Sequence, residues 1–174
     1  SRSAAGNRFF SMTEQPDNDR DPGRLPPGQF LTDKWPVLTY GRTPEIDLET
    51  WRFRVWGAVE EEHLFTWREF LELGDTTVEA DFHCVTTWSV LDNEWEGIPA
   101  ARLLEAVPPL PEATHVMIHC YGDYSANLPI EDLHDPSVLF ARYRNGAELT
   151  PEHGWPLRLI VPHRYAWKSA KWGR

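Results

Sequence analysis

The chain has 174 residues, 41% of them hydrophobic and 13% aromatic, with nine tryptophans and a net charge of −10. That is enough apolar surface for one domain with its own core, and too much for a disordered chain. The acidic balance argues against sequence-independent binding to DNA or RNA, whose phosphates reward an excess of Lys and Arg.

Residues 1–30, with TEQPDNDRDPGRLPPGQ among them, are rich in Pro, Asp, Gly and Arg without periodicity, so an irregular arm is expected before a domain spanning 31–174. In WRFRVWG, Trp51, Phe53 and Val55 alternate with Arg52 and Arg54, the period of a half-buried strand. TWREFLEL predicts a helix start. Thr66 and Glu69 have capping-box spacing, Phe65 and Phe70 can staple across the cap, and Gly74 is a natural stop. From Thr76, β-branched residues predict a strand that delivers DFHC to its end, after which the chain is expected to loosen at Asp92-Asn93. IPAARLLEAV has helical spacing with Pro99 in the first turn, and PPLP ends it. THVMIHC reads as a short strand and PIEDLHD as a short helix after Pro129. Asn145-Gly146, between two apolar runs in VLFARYRNGAEL, is the strongest hairpin signal, and WPLRLIVP is a further strand. Strands outnumber helices and the regular alternation of a doubly wound sheet is missing. The expected class is α+β with mixed, mainly antiparallel sheets.

No apolar run reaches the length of a membrane helix, and SRSAAGNRFF lacks the hydrophobic centre of a secretory signal. A soluble, cytoplasmic protein without a transmembrane segment is the expectation, although a signal already removed would leave no trace.

Three groups of residues could carry chemistry. From His153 onward the chain holds Arg158, Arg164, Lys168, Lys171 and Arg174 and no Asp or Glu, against the acidic trend of the whole. This is either an anion site, with Ser169 and backbone N–H groups interleaved, or a solvated basic strand. Cys84, beside His83 and followed by Thr86 and Thr87, reads either as an inert buried thiol or as a thiolate that attacks a substrate or binds a soft metal. His115 and His119 share one side of a strand but stand roughly 13 Å apart, too far to ligate one ion. P-loop, GxGxxG, HExxH and GxSxG motifs do not occur.

The order HCVTTWSVLDNEWEGIPAARLL, HVMIHCYGDYSANLP and LTPEHGWPLRLIVPHRYAWKSAKW resembles the molybdopterin-binding domain of the sulfite oxidase family, nearest its small prokaryotic members and the methionine-sulfoxide reductase branch. The resemblance runs from about Leu25 to Trp172. It implies a sulfite oxidase-like fold and molybdopterin (the molybdenum cofactor) as prosthetic group, with Cys84 as the thiolate ligand to molybdenum and the catalytic residue. It implies further that Arg158 and His153 hold the cofactor, His153 standing where relatives often use asparagine, and that Lys168, Ser169, Ala170 and Lys171 grip its phosphate end. Cys120 falls where the reductase branch has a threonine near the metal. The implied activity is oxygen-atom transfer to or from a small substrate. VTTWS after the cysteine departs from the Arg-rich stretch of the animal and plant sulfite oxidases. Without a haem domain, an external electron-transfer partner is implied, and relatives continue past Arg174 through another strand. A domain of this fold that binds the cofactor, or another anion, without turnover is the alternative.

Overall fold

The computed structural model describes residues 30, 31, 35, 37, 42–83, 88–122, 124–163, 171 and 173. Among these, the chain order is β1 (Phe30–Leu31), β2 (Arg52–Val55), β3 (His63–Thr66), α1 (Trp67–Leu71), β4 (Thr76–His83), β5 (Trp88–Pro99), α2 (Ala100–Ala106), β6 (His115–His119), β7 (Ser125–Pro129), α3 (Ile130–His134), β8 (Leu139–Arg144), β9 (Ala147–Glu148), a 3-10 turn (Pro151–His153) and β10 (Arg158–Ile160). No helix among the described residues is long and apolar enough to cross a membrane.

The long strand β5 organises the largest sheet. It pairs antiparallel with β4 and with β8, and in parallel with the two residues of β1, while β8 carries β9 and β10. Two antiparallel pairs, β2 with β3 and β6 with β7, complete the strands. The mixed, mainly antiparallel α+β arrangement expected from the strand count is what forms. Alternation along β8 shows how the large sheet is buried on both faces. Phe140 enters a core with Trp51, Phe53, Phe70 and Leu157, while Leu139 and Ala141 face the other way, toward Phe82, Trp95 and Ile160.

Local chemistry explains several boundaries. Glu69 N–H donates to Thr66 Oγ1 at 3.2 Å and Thr66 N–H donates to Glu69 Oε2 at 2.9 Å, a complete capping box. Phe65 and Phe70 meet edge to face across it, with ring centroids 5.9 Å apart. The helix ends at Leu71, short of Gly74, because Glu72 already caps it. Asn145 and Gly146, with φ of 51° and 79°, make the tight turn between β8 and β9.

Asp92-Asn93 corrects an expectation. The pair lies inside β5 rather than in a loop. Asp92 takes a φ of 56°, its N–H held by Asp81 Oδ1 at 3.0 Å, and Asn93 is fully buried. Asn93 Nδ2 donates to the Val90 carbonyl at 2.8 Å, and its Oδ1 accepts from Arg144 Nε at 2.7 Å. Side chains thus satisfy the kinked backbone, so the strand passes through the kink instead of stopping.

Where β5 and β8 lose register, after Glu96, Gly97 lets the two backbones approach closely. A Cβ there would run into the Phe140 carbonyl oxygen and lie 2.8 Å from Ala141 Cα. Both neighbours are backbone and cannot turn aside. Gly97→Ala is therefore expected to destabilise the fold by about 3 kcal/mol, the upper range for overpacking, read as a lower denaturant midpoint with the slope unchanged.

Candidate cofactor site

The site begins in LTPEHGWP. Pro151 opens a 3-10 turn that ends at Gly154, whose φ of 116° suits glycine alone. Space requires glycine as well: a Cβ would lie 3.0 Å from both Arg158 Cβ and Lys171 Cγ. The turn presents His153, whose ring stacks on Trp35 with centroids 3.8 Å apart and planes 13° apart. His153 Nε2 lies 3.1 Å from the Trp35 carbonyl oxygen and Nδ1 lies 3.1 Å from Thr150 Oγ1. A carbonyl can only accept, so Nε2 carries the proton and Nδ1 accepts from the hydroxyl. Burial, and then the charges of Arg158, Lys171 and Arg144, push the His153 pKa down against the opposing bond to Trp35. The imidazole is neutral.

Three cations surround it. Arg158 on β10 is only 6% exposed; its Nη1 donates to the His153 carbonyl at 3.0 Å, and its guanidinium carbon lies 5.0 Å from the ring centres of both Trp35 and Phe82. Arg144, at the end of β8, holds its guanidinium carbon 4.8 Å from the Trp35 ring, and burial lowers its pKa. Lys171 pairs with Arg158 through an antiparallel bridge and donates from Nζ to the Glu152 carbonyl at 2.9 Å. Burial, with the charge of Arg158 adding and Glu152 opposing, lowers the Lys171 pKa to about 8. In a chain of net charge −10 this is a local positive site, with a Cβ-free backbone position between two of its cations.

Cys120 adjoins the same C-terminal segment. It is buried, donates from its N–H to the Tyr124 carbonyl at 2.9 Å, and pairs with Gly173 through an antiparallel bridge. Burial raises the Tyr124 pKa, the nearby Cys120 raises it further, and Arg158 opposes both. Cys120 and Tyr124 line a cleft of about 620 Å³ shared with Arg52, Trp56, His119 and Tyr121.

The fold thus brings together His153, Arg158 and Lys171, with Cys120 bridged to Gly173, two residues past Lys171. Cys84, Lys168, Ser169 and Ala170 lie outside the described residues. His115 and His119 do share one exposed side of β6, but with separate partners: His115 meets Thr114 Oγ1 and His119 stacks on Trp56. Sequence reasoning missed Trp35, Phe82, Arg144 and Tyr124. Of these only Arg144 carried a signal, a cation immediately before a strong turn.

The two cations Arg158 and Lys171 beside a neutral His153 make a donor set that suits an anionic cofactor. The family model described as the oxidoreductase molybdopterin binding domain matches residues 40–174, and the chain belongs to that family of molybdopterin-dependent oxidoreductases. Among individual relatives, it is 40% identical over 167 residues to the uncharacterized oxidoreductase YuiH of Bacillus subtilis (strain 168), covering 95% of this chain and 83% of that protein. It is 26% identical to the protein-methionine-sulfoxide reductase catalytic subunit MsrP of Campylobacter jejuni, over 82% of this chain and 53% of that one. The crystal structure of the sulfane dehydrogenase SoxCD from Paracoccus pantotrophus superposes with a TM-score of 0.69 at 26% identity, covering 76% of this chain and 39% of that one. Against MsrP and SoxCD, then, the chain spans about half or less of the relative's length.

The Lys171 shift has a measurable consequence. The unfolded chain keeps that proton to about 10.5, the folded one only to about 8, so between these values unfolding takes up a proton. Cofactor-free protein should therefore gain stability as pH rises from about 8 toward 10.5. Thermal melts at stepped pH should show this rise in the parent and a flatter profile in Lys171→Met.

Proposed function

We propose that the chain is the catalytic domain of an oxygen-atom transfer enzyme whose molybdenum is ligated by the Cys84 thiolate. One observation carries the reading: the Arg158 guanidinium packs on the ring of Phe82, two residues before Cys84. Two residues span at most about 7 Å of chain, a separation that supports a cofactor reaching from Cys84 to the cationic cluster. When bound, the molybdenum cofactor supplies two-electron chemistry at an oxygen atom, and a soft thiolate suits its metal.

This chain's residues then have distinct tasks. Arg158 and Lys171 bind the phosphate end of the cofactor, joined by Lys168 and by backbone donors at Ser169 and Ala170. His153, neutral and locked in one tautomer by Trp35 and Thr150, holds the 3-10 turn against Trp35 and so fixes the carbonyl that Arg158 Nη1 meets. Cys120 and Tyr124 line the cleft by which a small substrate would approach, and the Tyr124 phenol, protonated at neutral pH, would donate a hydrogen bond to it. A sulfur-centred substrate is the class in keeping with the named relatives, and electrons pass to or from an external partner. The setting we propose is the cytoplasm.

Expression in a host that makes molybdopterin tests this directly. The parent should hold near-stoichiometric molybdenum, and Cys84→Ser should lose activity toward sulfoxides, N-oxides or sulfite by at least a hundredfold while retaining pterin. Arg158→Met should retain little of either pterin or metal. Full activity in Cys84→Ser would overturn the assignment.

A further inference from the structure

Strands β2 and β6 and helices α2 and α3 do not close completely on one another. Between them lies a partly open cavity of about 280 Å³. Its walls are mostly aliphatic: Val55 from β2, Leu103 and Leu104 from α2, Val116 and Ile118 from β6 and Leu133 from α3. All six belong to the larger core cluster or pack against it, yet Val55, Leu104 and Val116 stay only partly buried. One rim of the gap is braced. The Glu60 N–H donates to the Pro108 carbonyl and the Leu110 N–H to the Ala58 carbonyl, both at 2.9 Å, and Val59 is bridged to Pro109. A preformed apolar space with few polar partners for water favours a carbon group as its occupant. Roughly 150 Å³ of dry cavity suffices for benzene, so a ring or a short alkyl chain fits.

The cavity adjoins the cleft that holds Cys120 and Tyr124, and Arg54, Trp56 and His119 line both. The Trp56 ring is the partition. The Arg54 guanidinium carbon lies 4.9 Å from its centre, and the His119 ring stacks on it at 5.3 Å with planes 24° apart. Among the described residues four large hydrophobic side chains stand well exposed, and three of them line one or both of these spaces: Trp56 at 46%, Leu64 at 53% and Met117 at 50%. Apolar surface left in water around two adjoining spaces is surface that a ligand can cover. The cleft, by contrast, offers Arg52, Tyr121 and Tyr124. One molecule with a polar end and an apolar arm matches the pair.

We propose that this cavity is a subsite for the apolar arm of the substrate, an arm about the size of a phenyl ring, whose polar, reacting end lies in the adjoining cleft. The inference rests on the reading of that cleft as the substrate's approach. It favours substrates that carry such an arm over a compact oxyanion, which has nothing to set against Val55, Leu104 and Val116.

Met117 supplies a direct readout, because the chain has only two methionines and this one lines the cavity. In protein isotope-labelled at the methionine methyl groups, methyl phenyl sulfoxide should move the Met117 NMR signal with a dissociation constant on the order of a few millimolar. Dimethyl sulfoxide should not move it. That titration needs no cofactor. In loaded protein, reduced methyl viologen supplies two electrons per sulfoxide, and two protons carry the oxygen away as water. There kcat/KM for methyl phenyl sulfoxide should exceed that for dimethyl sulfoxide about thirtyfold, within the range a hydrophobic pocket gives for a modest gain in buried carbon. Ala113→Phe, at a residue lining the cavity, should abolish both the Met117 response and most of this preference. Val59→Phe, at the braced rim, supplies the comparison if that variant folds poorly. A Met117 signal that ignores methyl phenyl sulfoxide would overturn the inference, as would equal kcat/KM in the parent or a preference untouched by both phenylalanine variants. A signal that moves with protein concentration alone would assign the groove to a second copy of the chain and overturn it as well. Loaded protein that reduces no sulfoxide would overturn the proposed activity and this inference with it. The Met117 titration would separate the two failures by showing whether the cavity takes a carbon ring.

Discussion

A guanidinium buried in a low-dielectric interior is the constraint around which the site is arranged. Arg158 lies on β10 with its charge against two aromatic faces and a backbone carbonyl. Removing such a charge from water costs several kcal/mol unless dipoles and counter-charges meet it. The His153 carbonyl is aimed by the 3-10 turn, the turn is possible because of Gly154, and Trp35 is held in place by the ring of His153 on one side and two guanidinium groups nearby. The fold therefore tolerates a positive charge that an anionic cofactor is suited to complete.

The neutral state of His153 follows from the same arrangement. Burial first, and then three neighbouring cations, disfavour a charge on the ring, and the Trp35 carbonyl selects the tautomer. A neutral imidazole has one donor and one acceptor, as a side-chain amide has at its two ends. In His153 both are taken within the protein, by the Trp35 carbonyl and the Thr150 hydroxyl.

Much of this was legible in the sequence, and what was not has physical causes. The Thr66–Glu69 box and the Asn145-Gly146 turn are local signals and appear as read. The basic character of the C-terminal stretch left an anion site and a solvated strand both open; in the fold Arg158 and Lys171 converge. Trp35 could not be found that way: its partner His153 is remote in sequence and its own neighbours show no periodicity. Asp92-Asn93 misled because polar turn-forming residues normally end a strand, whereas here Asp81 and Arg144, from other strands, supply the missing bonds. Such long-range compensation leaves no local trace. The roles of Cys84, Lys168, Ser169 and Ala170 rest on the resemblance, since those residues lie outside the described part of the chain.

The topology of the large sheet also sets an order of events during synthesis. Phe82 belongs to β4 and Arg158 to β10, and the pairing that links them passes through β5 and then β8. Neither half of the pocket can recruit the other by local contacts, so the binding surface exists only after β10 has emerged from the ribosome and closed the sheet. Assembly of the binding surface is accordingly a late step in the folding of this polypeptide. Because the ligand binds the finished fold and not its precursors, the supply of cofactor in the cell becomes a term in how long each molecule survives.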